Sequence, residues 1–267
     1  MNQTEEAGPI VLVADADGVR TITLNRPDRL NALASPIMSA FADAVADAAR
    51  DPDVGCVVVT GAGRGFCAGG DIKGGGDPVG PVTRATGGGV EQHVSRLRGF
   101  MEAARLLHDM AKPTIAMVNG PVAGAGIGIA GACDLRFAGE SATFVSAFDR
   151  IGGSGDFGAS WFWTKIAGTA VAREIMLLSE KMTARQAFDK GLYTRLFPDA
   201  ELREATMTAA RRLAGGPRIA YRYMKANLNL AEHASFTAAL DHEALNMVLS
   251  TGAARAIARA ERQAGDG

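Results

Sequence analysis

Between Lys112 and Asp134 the chain reads KPTIAMVNGPVAGAGIGIAGACD, and no other stretch narrows its folding options so far. The apolar run Thr114 to Val118 stops at Asn119-Gly120-Pro121. Almost everything after it is small: Ala123, Gly124, Ala125, Gly126, Gly128, Ala130, Gly131 and Ala132. This pattern predicts a strand, a turn and then a helix that another backbone or a ligand approaches closely. The first N–H groups of a helix have no partner inside it, so a bare helix start can hold an anion or a polarised carbonyl oxygen. Close helix packing in a core is the competing reading of the same small residues.

A second stretch repeats the arrangement. Val57, Val58 and Val59 form an apolar run without alternation, as expected of a strand covered on both faces, and it leads into GAGRGFCAGGDI, Gly61 to Ile72. Two glycine-rich loops, each following a buried strand, can face one another and offer one backbone N–H apiece to the same oxygen. A third glycine-rich segment, RIGGSGDFGAS from Arg150 to Ser160, carries Asp156 between Gly155 and Phe157. Read alone, Asp156 is an ordinary turn aspartate. If it faces a crevice beside Phe157, Trp161, Phe162 and Trp163, its carboxyl group is poorly solvated and its pKa rises.

The remaining pattern suggests an α/β core followed by helices. Ile10 to Ala14 and Val19 to Leu24 flank a turn at Asp15 to Gly18 and predict a hairpin. Ser35 is expected to cap a helix that starts at Pro36 and runs to Arg50. Lys73 to Gly89 lacks periodicity and reads as a mobile loop, a lid or an insertion. One amphipathic helix is expected from Val90 to Ala111, short strands at Leu135 to Ala138, Ala142 to Val145 and Tyr193 to Phe197, and helices at 170–179, 183–190, 199–213, 218–230, 235–249 and 253–263. Residues 1–200 are assigned to the core and 201–267 to a helical C-terminal region.

With 267 residues and a formal charge of −1, neither nucleic acid nor an anionic membrane is an expected partner. No apolar run approaches a membrane span, and acids stand near the N-terminus where a signal peptide carries bases, so a soluble cytoplasmic protein is expected. Cys56, Cys67 and Cys133 read as buried free thiols, and no spacing suggests a metal site. The histidines, His93, His108, His233 and His242, lie on helical patterns away from the glycine loops and read as surface or boundary residues. Gly126 to Gly131 matches GxGxxG, with Asp149 where a ribose-binding acid would fall. The long turn containing Pro121 and the mid-chain position argue against a dinucleotide site.

Taken together, NRPDRLNAL, GAGRGFCAGGDI, KPTIAMVNGPVAGAGIG and AREIMLLSEKMTARQAFDKGLYTRLFP resemble the crotonase superfamily, the enoyl-CoA hydratase/isomerase family, from about Ile10 to Ala260. The resemblance implies a crotonase-like spiral of ββα units with a helical C-terminal region that supports a homotrimer or a hexamer of two trimers. It implies an acyl-CoA thioester as substrate and no permanently bound cofactor. By the same likeness, the backbone N–H groups of Gly70 and Ala125 are the oxyanion donors. Arg29, Leu30, Ala32, Ala68, Gly70, Asp71, Ile72 and Gly124 correspond to positions that bind the CoA and pantetheine portion.

Hydratases of this family use two glutamates, and those positions align here with Gly128 and Phe148. Neither can transfer a proton, and Glu140 lies in a loop where a solvated role is expected. AFDRIGGSGDFGASW is instead similar to members working with a single aspartate, such as isomerases of the epoxyphenylacetyl-CoA type, and this makes Asp156 the candidate base. It aligns less well with dihydroxynaphthoyl-CoA synthase, whose aspartate falls on Ser154. The expected activity is double-bond isomerisation of an unsaturated acyl-CoA. Hydration or hydrolysis through Asp156 and water, and non-catalytic acyl-CoA binding, are the alternatives. Phe144, Phe148, Phe157, Trp161 and Trp163 are candidates for an aromatic-friendly acyl pocket, or for ordinary core.

Overall fold

The computed structural model describes residues 8–72 and 89–265. The expected mobile loop, Lys73 to Gly89, therefore lies outside the described residues except at its last position. Strands β1 (Val11–Ala16) and β2 (Val19–Leu24) form the predicted antiparallel hairpin. Its two-residue turn places Asp17 and Gly18 at φ 53° and 72°, conformations that Asp and Gly tolerate better than other residues. From β2 onward the pairing is parallel: β3 (Cys56–Gly61), β4 (Thr114–Val118), β6 (Leu135–Gly139) and β9 (Arg195–Phe197) complete a six-stranded sheet in the order β1-β2-β3-β4-β6-β9. Every residue of β3 and β4 is buried, as their uninterrupted apolar runs require of strands covered on both faces.

One face is covered by α1 (Ser35–Arg50), through Ile37, Met38, Phe41, Ala44, Val45 and Ala48, and by α3 (Glu102–Asp109). The other is covered by α7 (Asp199–Ala214), whose Leu202, Ala210 and Ala214 pack on Val19, Cys56, Val58, Ile115 and Phe137. A small second sheet joins β5 (Val122–Ala123), β7 (Thr143–Val145) and β8 (Met182–Thr183). Helix α4 (Ala125–Ala132) is buried at every residue and packs against α5 (Ala159–Leu178). The capping box of α6 (Ala184–Asp189) is closed by Thr183 and Gln186. Helices α8 (Arg218–Ala231) and α9 (Phe236–Gly265) form the C-terminal pair.

Four local expectations need correction. The helix predicted from Val90 to Ala111 is broken at Met101 into α2 (Val90–Phe100) and α3. Helix α5 begins at Ala159 and bends at Gly168 (φ 80°), so it is longer than the predicted 170–179. The segments 235–249 and 253–263 form one helix, because Gly252 is accommodated inside α9. Ser35 does not cap α1. Ala34 holds the N-cap position, and the Ser35 hydroxyl accepts from the Arg96 guanidinium. All three cysteines are free and buried. Among the described residues no helix is long and apolar enough to cross a membrane, and no cluster of three or more His, Cys, Asp or Glu could hold a metal ion.

Candidate active site

The first glycine-rich loop leaves β3 and is held by two asparagines. Asn31 is fully buried and sits in the left-handed region (φ 58°). Its Nδ2 donates to the carbonyls of Ala62 (3.0 Å) and Gly65 (2.8 Å), and its Oδ1 accepts from the Arg26 N–H (2.9 Å). Asn119, at the end of β4, donates to Gly61 O (2.8 Å) and Gly63 O (2.9 Å). The far end of the loop forms a parallel bridge with Leu33: the Leu33 N–H bonds to Gly69 O (2.7 Å) and the Asp71 N–H to Leu33 O (2.8 Å). Bonding through the residues on either side of Gly70 turns Gly70's own N–H away from Leu33.

The second loop is zipped onto the first. Phe66 and Cys67 donate to Pro121 O (3.1 and 3.3 Å), and Ala123 donates to Cys67 O (2.9 Å). This leads to a contact between two glycines. Gly69 has φ 83°, and a Cβ there would lie 2.9 Å from Ala123 O. A Cβ on Gly124, at φ 52°, would lie 3.3 Å from Gly69 Cα. Larger residues at either position would push the loops apart. Each candidate donor immediately follows one of these touching glycines: Gly70 follows Gly69, and Ala125 follows Gly124 as the first residue of α4. Among the described residues neither the Gly70 nor the Ala125 N–H has an acceptor.

Both donors line a cleft of about 510 Å³, and Asp156 lines it too. Asp156 occupies a tightly turned segment in which Gly155, Phe157 and Gly158 have φ 111°, 46° and 76°. Its Oδ1 is buried without a hydrogen-bond partner, and burial pushes its pKa up from 3.8 to about 6. Among the described residues it is the only carboxylate lining this cleft. The three groups that sequence reasoning set apart as chemical are thus brought to one cavity. Their arrangement sets one carboxylate beside two main-chain N–H groups, with no second carboxylate lining the cleft among the described residues.

A neighbouring cavity of about 410 Å³ shares Ala68, Gly70 and Ile72 with the cleft and is also lined by Arg29, Leu30, Ala32 and Asp71. All the expected binding residues thus line one or other of two adjoining spaces, Gly124 being in the cleft. Asp71 plays a structural part there, since its carboxylate is 4 % exposed and is held by Arg26 at 2.8 Å. Arg64, which the sequence reading passed over, joins Arg29 at this cavity, and both side chains are exposed. A cation in a loop otherwise built of glycine was the available signal. Leu97, Arg150 and Ser154 also line the main cleft and were not anticipated.

The five aromatic residues divide between core, a separate cavity and the cleft. Phe144 and Trp163 are fully buried in the core, where their rings meet edge to face at 5.0 Å. Phe157 and Trp161 line a separate apolar cavity of about 370 Å³ with Met101, His108 and Phe162. Only Phe148 of the five reaches the cleft. Glu140 is exposed and does not line it.

The model of the enoyl-CoA hydratase/isomerase family matches residues 14–259. The chain is 37 % identical over 227 residues to the 1,2-epoxyphenylacetyl-CoA isomerase of Escherichia coli K12, covering 85 % of this chain and 84 % of that protein. It is 30 % identical over 244 residues to 4-chlorobenzoyl coenzyme A dehalogenase-2 of an Arthrobacter species, covering 91 % and 86 %. Its fold superposes on the crystal structure of an enoyl-CoA hydratase from Mycobacterium avium subsp. paratuberculosis K-10 with a TM-score of 0.74 and 33 % identity, covering 91 % of this chain and 93 % of that one. With a family model that runs from the first strand through both glycine loops into the last helix, the chain belongs to the enoyl-CoA hydratase/isomerase family.

Proposed function

We propose that this chain is an acyl-CoA isomerase that moves a double bond with Asp156 as its single base. The ionised carboxylate takes a proton from the α carbon of a β,γ-unsaturated thioester. The electrons spread into a dienolate, and the same carboxyl group returns the proton to the γ carbon. One acid serves both transfers, whereas hydration must also orient water. The Gly70 and Ala125 amides hold the thioester oxygen as it gains negative charge, and the Arg29 and Arg64 side chains at the adjoining cavity suit the phosphates of CoA. No permanently bound cofactor is needed for a proton shuttle of this kind. Apolar residues left exposed on the C-terminal helices, among them Leu228, Leu245 and Val248, support assembly as a homotrimer or a dimer of trimers.

The observation that carries this reading is the Asp156 carboxylate, the only one lining the cleft among the described residues, with an Oδ1 that has no partner there and two amides that have no acceptor there. Asp156→Ala should abolish deuterium exchange into a β,γ-enoyl-CoA in D2O while leaving the affinity for the CoA ester intact. Unchanged exchange would remove Asp156 from the mechanism. Crotonyl-CoA and an aryl-CoA assayed beside it distinguish hydration and aryl chemistry from isomerisation, and binding without turnover of any of the three would mark a non-catalytic acyl-CoA carrier.

A further inference from the structure

Asp156 lacks what usually aims a catalytic base. A carboxylate held by neighbouring donors keeps its orientation through them, but its Oδ1 has no hydrogen-bond partner. Its direction must therefore be set by its own backbone. That backbone is anchored from two sides. Phe157 is 1 % exposed, with its side chain locked in the core although its φ is 46°. On the other side lies α4. A Cβ on Gly128 would fall 2.7 Å from Phe157 O, 2.8 Å from Phe157 Cβ and 3.0 Å from Asp156 O. Contacts of this kind require a bare backbone, so the Asp156–Phe157 peptide is seated directly on the helix at Gly128.

The same helix begins with Ala125, one turn earlier. A rigid α4 therefore carries an oxyanion donor at its start and a seat for the base one turn on. We infer that Gly128 is a positioning residue, whose missing side chain sets the distance between the Asp156 carboxylate and the Ala125 amide. This rests on the isomerase reading and deepens it.

The test is Gly128→Ala, with Gly131→Ala as the matched control. A Cβ at Gly131 on the same helix would also be tight, at 2.9 Å from Phe162 Cβ, and its three nearest atoms belong to Phe162 and Trp163, outside the Asp156 loop. Gly128→Ala must lift that loop by several tenths of an ångström. It is expected to lower kcat for β,γ-enoyl-CoA isomerisation by about 10- to 100-fold with KM within about twofold, because misplacing a reacting group affects the chemical step rather than binding. Gly131→Ala is expected to keep its kcat. A second readout does not depend on turnover: the ionisation midpoint of a 13C-labelled Asp156 carboxyl group should fall toward the ordinary range as the lifted loop admits water. If Gly128→Ala does not fold, Phe157→Leu keeps the atoms that meet Gly128 but loosens the core anchor on the other side of the same peptide, and should show the same loss of kcat at retained KM. Wild-type kcat and an unmoved midpoint in Gly128→Ala, equal losses in both glycine variants, or full activity in Phe157→Leu would each overturn the inference. Asp156→Asn run in parallel separates the two levels. Activity in Asp156→Asn sinks the isomerase reading itself, whereas an inactive Asp156→Asn beside a fully active Gly128→Ala sinks only the role of the glycine.

Discussion

The burial of Asp156 makes a prediction about stability as well as rate. Its carboxyl group titrates at about 6 in the folded chain, against an ordinary value of 3.8, because burial disfavours the anion. Between those values the folded chain holds a proton that the unfolded chain has released. The contribution of Asp156 to stability is therefore greatest below 3.8, falls as the pH rises through the window, and is lost above about 6. A gap from 3.8 to about 6, at about 1.4 kcal/mol for each tenfold change in proton affinity, amounts to about 3 kcal/mol. Asp156→Ala removes the titrating group, so its unfolding free energy minus that of the wild type should grow by about 2 kcal/mol between pH 4 and pH 7, most of the full gap. Any constant offset from the lost side chain cancels in that difference. Urea unfolding at a fixed protein concentration across this range measures it. The acid limb of kcat/KM should have its midpoint near the same value of about 6, since only the ionised form is a base. A pH-independent difference between the two proteins, or an acid limb near 4, would show that the carboxylate is solvated and refute the reasoning.

Three further outcomes are expected. Ala125→Pro deletes one unbonded N–H at the first position of α4, where proline fits a helix, so kcat should fall by about 10²- to 10³-fold with little change in melting temperature; retained kcat would dismiss that amide as a donor. Asn31→Ala removes three hydrogen bonds made by a buried side chain, at about 1 kcal/mol each, and should cost about 3 kcal/mol in urea unfolding. Arg26→Met breaks the contacts to Asp71 (2.8 Å) and Ala32 O (2.7 Å). It should cost about 2 kcal/mol and weaken binding of the CoA ester, measured by calorimetry.

Features written in consecutive residues were legible before the structure was seen. The unbroken Val57 to Val59 run, the Asp17-Gly18 turn and the bare start of α4 each carry their own local physics, and the structure places them as strand, hairpin and helix. Part of the cleft's lining was legible for the same reason: glycines that follow a strand, and one acid among glycines. What joins distant segments was not. Asn31 reaches Gly65 and Asn119 reaches Gly61 across long stretches of chain, and asparagine in a turn gives no hint of which carbonyls it will find. Strands β5 and β8 have two residues each, too few to show a period. The break at Met101 and the continuity of α9 through Gly252 reflect packing that overrides local preference.

The meeting of the two loops through Gly69 and Gly124 has a consequence for heredity. A codon change can swap any side chain, yet every amino acid except proline brings an amide hydrogen with it. On the proposed mechanism the grip on the thioester oxygen is therefore shielded from most point mutations at residues 70 and 125. Asp156 has no such shelter, because any missense change there would alter the proposed base. A lineage descending from this gene could acquire a new reaction, or lose reactivity altogether, while still recognising the same carrier.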